Sequence, residues 1–303
     1  MPGDDELLFL RVVDAGSLKA AAHQLGVDPS TVSRRVRSLE ERVGARLLRR
    51  STRRTGPTDA GLRYSEGLRR LVDEQQALEA DVSGETRQIR GILRIAAPVG
   101  FGARFVVPVV DRMMAESPEL EVALELGSDT VDLVERGLDV AVRVGRLQDS
   151  ALRARRLASV PRVIVAGPAW VARHGMPTTA EELEALPGRP WIAYRRSGGV
   201  PTFPLTCPDG RTLDQPVRAG IHVNSVEGMR ALVLAGRGLQ WGPRWAYAED
   251  LRAGRVVELL PDHALRPFPA HAVYPAGAWL PAKVRRFIDL CAETFPSAAG
   301  LTA

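Results

Sequence analysis

Ser30, Ser33, Arg34 and Arg37 share one face of a predicted helix, while Val32, Val36, Leu39 and Val43 recur at helical spacing on the other. Short hydroxyls and guanidiniums presented together suit a helix lying in a DNA major groove. Hydroxyls near the helix start reach base edges, and guanidiniums grip guanine or phosphate. A basic amphipathic helix taken alone is more often a solvated surface helix, so its surroundings must decide. Asp28-Pro29 supplies an N-cap followed by the residue best tolerated at the first helical position. Ahead of it a shorter helix starts at Ser17, runs through Ala20, Ala21 and Ala22 to Leu25, and stops at Gly26. Only Gly26, Val27 and the cap lie between the two, which is the turn length of a helix-turn-helix.

The segment behind this pair is strongly basic. Between positions 34 and 54 nine arginines (34, 35, 37, 42, 46, 49, 50, 53 and 54) face only Glu40 and Glu41, a surplus larger than the +5 of the whole chain. Such a concentration predicts a polyanion partner and binding that weakens with salt as counterions are released. Arg49, Arg50, Arg53 and Arg54, placed before Gly56-Pro57, read as a β-wing running beside the nucleic-acid backbone. A polybasic membrane patch would bring a long amphipathic helix with aromatic anchors, and none accompanies it.

Other elements must hold this reader in place. Residues 4–15 predict an opening helix that packs Leu7, Leu8, Val12 and Ala15 beneath the helix-turn-helix. Thr58-Asp59 caps a longer helix, roughly Asp59 to Val82, about 35 Å at 1.5 Å per residue. Leu68, Leu71, Gln75, Leu78 and Val82 follow a/d spacing along it and predict a two-stranded coiled coil. A packed monomeric helix is the alternative, but one helix-turn-helix reads too little DNA for useful specificity.

After Ser83-Gly84-Glu85-Thr86 the pattern becomes alternating short apolar strands and helices. Strands are predicted at 92–96, 120–126 and 138–143, with helices at 102–115 and 129–136, a βαβαβ order that implies parallel pairing and a sheet covered on both faces. A second unit follows with a strand at 163–166, helices at 168–174 and 179–185, and a strand at 190–194. Next come a strand at 221–224, a helix at 225–235 and a strand at 239–241, before a return through 270–274 and a closing helix at 281–295. Two α/β lobes with a cleft between them are expected. The 303 residues suit two or three domains, and 45% hydrophobic and 25% charged content is that of a soluble globular protein. No secretory signal and no apolar run of about 18 residues is read, so membrane attachment is not expected. Cys207 and Cys291 form no CxxC pair, which fits a reducing cytoplasm.

Ligands in open α/β sheets collect at the carboxyl ends of strands. That rule selects Pro98, Val99, Gly100, Phe101, Ser128 and Arg143 in the first lobe, and Tyr194, Asn224, Ser225 and Trp241 in the second. Arg143 could pair with a carboxylate, and Ser128 or Ser225 could donate hydrogen bonds. The plainer alternative makes Asn224 and Ser225 helix caps and Arg143 a surface ion pair. Catalysis finds no support. The five histidines, 23, 174, 222, 263 and 271, are scattered without HExxH, and neither Walker A nor GxSxG occurs. No metal site and no cofactor are expected.

Taken together, FLRVVDAGSLKAAAHQLGVDPSTVSRRVRSLEERVGARLLRRSTR, the long helix, APVGFGARFVVPVV and AGRGLQWGP resemble the LysR-type transcriptional regulators. The resemblance spans nearly the whole chain and is most specific over 6–66. It implies an α + α/β fold: a winged helix-turn-helix at 1–58, a linker and dimerisation helix with hinge at 59–88, and an effector domain at 91–303. That domain would be two-lobed and periplasmic-binding-protein-like, lobe I about 91–162 and 268–303, lobe II about 163–267. Carried over by position, Ser30, Thr31, Ser33, Arg34 and Arg37 fall on the DNA-reading helix and Arg53 and Arg54 in the wing. With Ser17, Pro29 and Arg50 they complete the expected DNA contacts. The resemblance also implies a cytoplasmic homo-oligomer, commonly a tetramer, on operator DNA, with a small-molecule inducer between the lobes and RNA polymerase as a further partner. One departure stands out: many members place a hydroxyl after the first effector-domain strand, and Pro98-Val99-Gly100 has none. The missing hydroxyl argues against a small carboxylate inducer; a larger or more apolar ligand, or none, stays open. Two other classes compete: a ligand-independent DNA-binding repressor or architectural protein, and an enzyme carrying a DNA module.

Overall fold

The computed structural model describes residues 3–50, 55–83, 89–127, 132–133, 135–147, 152–194, 200–276 and 280–303. It falls into two units, Met1–Gln88 with Gly277–Ala282, and Ile89–Ala276 with Lys283–Ala303.

The first unit runs α1 (Asp4–Ala15), α2 (Leu18–Leu25), α3 (Pro29–Val43), β1 (Leu48–Arg50), β2 (Thr55–Pro57) and α4 (Asp59–Ser83). The first three helices each end on a glycine in the left-handed region, Gly16, Gly26 and Gly44, with φ of 67°, 65° and 72°. A β-carbon there would strain the turn, so these glycines fix where each helix stops. β1 and β2 pair antiparallel, Arg49 opposite Gly56, and make the wing. Phe9, Val12, Ala21, Ala22, Val32, Val36 and Leu39 are buried in one core, closed by Leu47, Leu48 and Leu68. Thr58 ties the wing to α4, its hydroxyl donating to Arg46 O at 2.7 Å and accepting from Gly61 N at 2.9 Å. Gly61 is required by close approach, because a Cβ there would overlap the Leu47 carbonyl.

Two expectations for this unit need correction. Leu7 does not pack beneath the helix pair. It is exposed, and Phe9 takes the interior position, its ring 5.9 Å from that of Tyr64 on α4. α4 thus sets the inward face of α1, a long-range effect invisible in the spacing of α1. Leu68 is likewise buried in this unit's own core, with Tyr64 and Val72 beside it, and is not free for a partner helix. Leu71 is exposed and Gln75 donates to Glu79 at 2.8 Å. The Leu78 and Val82 side chains lie outside the described residues.

The second unit begins with β3 (Gly91–Ala97), α5 (Val99–Phe101), a π-helical turn at Gly102–Val106, α6 (Val107–Glu116), β4 (Leu120–Leu126), β5 (Val140–Val144) and β6 (Leu152–Val160). β7 (Arg162–Ala166), α7 (Pro168–His174), α8 (Ala180–Glu184), β8 (Trp191–Tyr194), β9 (Thr202–Thr206) and β10 (Thr212–Pro216) follow. Then come β11 (Ala219–Val223), α9 (Val226–Leu234), β12 (Leu239–Pro243), α10 (Arg244–Arg252), β13 (Val257–Leu259) and β14 (Ala264–Leu265). β15 (Phe268–Pro275) and α11 (Ala282–Thr294) close the chain.

These strands build two five-stranded sheets, β4-β3-β5-β15-β6 and β11-β8-β12-β7-β13, plus a smaller β10-β9-β14 sheet. β3 runs parallel to β4 and β5, while β15 runs antiparallel to β5 and β6. The chain passes between the large sheets twice, at Val160–Arg162 and, by way of β14, at Leu259–Phe268, so each lobe holds a large sheet of its own. Lys283 on α11 is buried and donates to Ile92 O at 2.8 Å, fastening that helix to the first sheet.

In place of the helix expected at 129–136, residues 135–137 form a turn; residues 128–131 and 134 lie outside the described residues. Sequence reading also passes over β6, β9, β10, α10, β13 and β14.

Candidate DNA interface and effector cleft

Asp28 caps α3 through its carboxylate, which accepts from Ser30 N at 2.8 Å. Hydrogen bonds from the Ser30 side chain and backbone hold that carboxyl below the usual range. Pro29 stands at the start of the helix, as its fixed φ favours. With Val32, Val36 and Leu39 buried, α3 must turn Ser30, Arg34 and Arg37 outward, and all three are exposed. Ser33 is half-buried beside them. Thr31 lies on the flank it shares with Arg35, bordering a shallow groove with Leu7, Leu25 and Val27.

The arginine-rich stretch sorts into two kinds. Arg35 Nε donates to Asp5 at 2.5 Å, Arg42 meets Glu6, and Arg49 Nη2 donates to Asp59 at 2.9 Å. Burial alone would raise the Glu6 carboxyl, but Arg42 and backbone N–H groups hold it below the usual range. Arg34, Arg37 and Arg46 are exposed and make no ion pair among the described residues. Three cations therefore fasten the scaffold and three face solvent. Glu40, counted in the sequence only as an opposing charge, accepts from Leu47 N at 2.8 Å and Leu48 N at 3.0 Å and so pins the wing to α3. Ser17 accepts from Ala20 N at 3.0 Å as the cap of α2. Arg50 ends β1, but its side chain, like Arg53 and Arg54, lies outside the described residues.

In the second unit, Pro98 and Val99 are half-buried and exposed at the end of β3. Phe101 is buried against Phe105 and Phe295, with centroids 4.8 and 5.6 Å away, and Phe105 meets Trp245 edge-on at 5.6 Å. This cluster joins the lobes on one side. Gly100 approaches α9 so closely that a Cβ would overlap Glu227 Oε1. Ser225 caps α9 and donates from its hydroxyl to Glu227 Oε2 at 2.8 Å, with Asn224 exposed beside it. Arg143 is half-buried, and burial lowers its pKa against the pull of Asp132. It stands opposite His271 across β5 and β15. Tyr194 ends β8, partly exposed, and Ser128 lies outside the described residues. Trp241 stacks on Phe203 at 4.5 Å and meets Phe268 edge-on at 5.1 Å. Among the described residues no cluster of His, Cys, Asp and Glu is suited to a metal, and no helix is long and apolar enough to cross a membrane.

A capped, wing-flanked reading helix and a two-lobed sensing domain define a winged helix-turn-helix regulator. Residues 5–62 match the bacterial regulatory helix-turn-helix proteins of the lysR family, and residues 86–296 match the LysR substrate binding domain. An HTH-type transcriptional regulator of Xanthomonas campestris pv. campestris is 34% identical, over 94% of this chain and 83% of its own length. The transcriptional activator AaeR of Escherichia coli is 31% identical, over 95% of this chain and 92% of its own. The structure of CrgA, a LysR-type regulator from Neisseria meningitidis, is similar with a TM-score of 0.59 at 28% identity, covering 97% of this chain and 98% of that one. The chain belongs to the LysR family: it is a DNA-binding transcriptional regulator with an effector-binding domain.

Proposed function

We propose that residues 1–58 read a roughly palindromic operator and that 59–88 join two copies. In this reading 91–303 sense a small molecule held between the lobes and do no catalysis. Ser30, Ser33 and Arg34, near the start of α3, reach base edges. Arg37, with Arg50, Arg53 and Arg54 in the wing, grips phosphates, and Ser17, Pro29 and Thr31 border the same surface. Pro98, Val99, Arg143, Tyr194, Asn224 and Trp241 border the ligand, with Gly100, Phe101, Ser128 and Ser225 shaping the walls. The regulator works in the cytoplasm as a homotetramer assembled from dimers, and RNA polymerase is its partner at the promoter.

The observation that carries this reading is the α3 surface. A capped helix buries one apolar stripe and turns hydroxyl and unpaired guanidinium groups outward on the other. Selection of bound sequences from a random DNA pool, followed by footprinting, tests it. The expected result is a palindrome whose half-sites lie about 10 base pairs apart, or a multiple of that, centre to centre. Failure to enrich any sequence, or protection of one isolated half-site, contradicts it.

A further inference from the structure

Arg162 opens β7, where the chain crosses from the first large sheet to the second. Its guanidinium carbon lies 4.5 Å from the ring centroid of Trp241, in one sheet, and 4.5 Å from that of Phe268, in the other. One nitrogen donates to Trp241 O at 2.7 Å. Among the described residues the Nε–H is buried with no partner, and so is the indole N–H of Trp241. Burial, against a weaker pull from Tyr247, pushes the guanidinium pKa down to about 9. Three other arginines of this unit are met by carboxylates: Arg230 and Arg255 by Asp250, and Arg244 by Glu258. Arg162 has no such partner among the described residues. A partly desolvated cation with a buried, unused donor is costly, and ring faces return only part of the lost hydration.

The opposite wall of the cleft bears on the same question by exclusion. Exposed Glu227, held by the Ser225 hydroxyl, presses against Gly100. A ligand carboxylate placed at Pro98–Gly100 would meet that negative charge, and the segment itself supplies no hydroxyl to receive it.

We infer that Arg162 and Trp241 form the anchor for a carboxylate-bearing effector at the crossing between the lobes. The carboxylate supplies the acceptors that the Arg162 Nε–H and the Trp241 indole N–H lack, and the negative charge that Arg162 lacks. Because Arg162 and Trp241 sit in one sheet and Phe268 in the other, filling the anchor bears on both lobes at once. This inference rests on the effector-sensing reading above and names its ligand class.

Titration of the full-length chain with sodium benzoate and sodium acetate, against benzamide and acetamide, tests it through tryptophan emission and melting temperature. Benzoate and acetate should bind saturably and raise the melting temperature, while the uncharged amides bind at least about tenfold more weakly, as loss of a charge-assisted hydrogen bond implies. Arg162→Gln should weaken benzoate about ten- to a hundredfold, and Arg162→Lys by less. Circular dichroism and melting of Arg162→Gln are read alongside. If that variant is unfolded, Trp241→Phe, which keeps the ring and removes the N–H, carries the test with an expected loss of several-fold. Equal affinity for benzoate and benzamide, unchanged benzoate binding by folded Arg162→Gln, or no carboxylate binding to the wild-type chain overturns the anchor. If amides or amines alter operator affinity while carboxylates do not, the anchor falls and the sensing function stands. If no compound of either class binds while operator binding stays specific, both fall.

Discussion

On α3, Arg34 and Arg37 stand in water, while at the lobe crossing Arg162 is folded inward between Trp241 and Phe268. The two settings impose different physics on the same side chain. An exposed cation keeps its hydration and costs little to hold, so it can wait for a polyanion and answers mainly to salt. A half-buried one has given up part of its hydration, and its energy depends more on the few groups within reach. The DNA-reading unit therefore stores unpaired charge cheaply on a rigid apolar scaffold. The sensing unit holds one charge at a cost, in a place where both lobes feel it.

Removing the scaffold shows how far the exposed charges depend on it. Phe9→Ala leaves every cation in place but empties a fully buried site at the junction of α1 and α4. It should cost about 3–5 kcal/mol in urea unfolding and abolish operator binding. Retained binding at full stability would mean that α3 holds its pose without this core.

Asp250 is the contrasting case of a buried charge with partners. It is fully buried and accepts from Arg230 at 2.5 and 2.8 Å and from Arg255 at 2.7 Å. Asp250→Ala should destabilise the second unit by about 2–3 kcal/mol, less than a fully buried pair because both arginines are partly exposed. Burial raises the Asp250 carboxyl, but the two guanidiniums hold it below its usual value. Its contribution is therefore complete above the unfolded carboxylate pKa, about 3.9, and fades as pH falls through the lower folded value. Stability curves of wild type and Asp250→Asn should converge on acidification; a gap that widens toward low pH would contradict this.

The exposed arginines should separate from each other by smaller amounts. Arg34→Ala should cost about 1–3 kcal/mol on the operator and relax preference at one base position. Equal loss on random DNA would make it a phosphate contact instead. Arg37, a turn further from the helix start, should when changed to Ala weaken both DNAs alike and reduce the salt slope by about 1. A loss confined to the operator would assign it to a base.

Sequence carried the reading helix well because its signals are local. The Asp28-Pro29 start, the glycine stops and the buried valine stripe all lie within α3 and its flanks. The wing was equally legible from Arg49, Arg50 and Gly56-Pro57. What escaped depends on distant partners. β6 is rich in arginine where it forms a sheet edge, so no apolar run announces it. Leu7 and Phe9 exchange roles because α4, some fifty residues away, chooses the inward face of α1. Arg162 looks like any other arginine in the chain. Only the pairing of β7 with β12 and the return of β15 put two rings around it.

The central claim is that α3 and the wing read a specific operator. Fluorescence anisotropy of the full-length chain on its own upstream intergenic DNA and on a scrambled duplex, at several salt concentrations, tests it most directly. The account predicts binding to the upstream DNA about 10³-fold or more tighter than to the scramble, both falling steeply with salt. Equal affinity for the two duplexes at every salt concentration would contradict it and leave a DNA-binding architectural protein in its place.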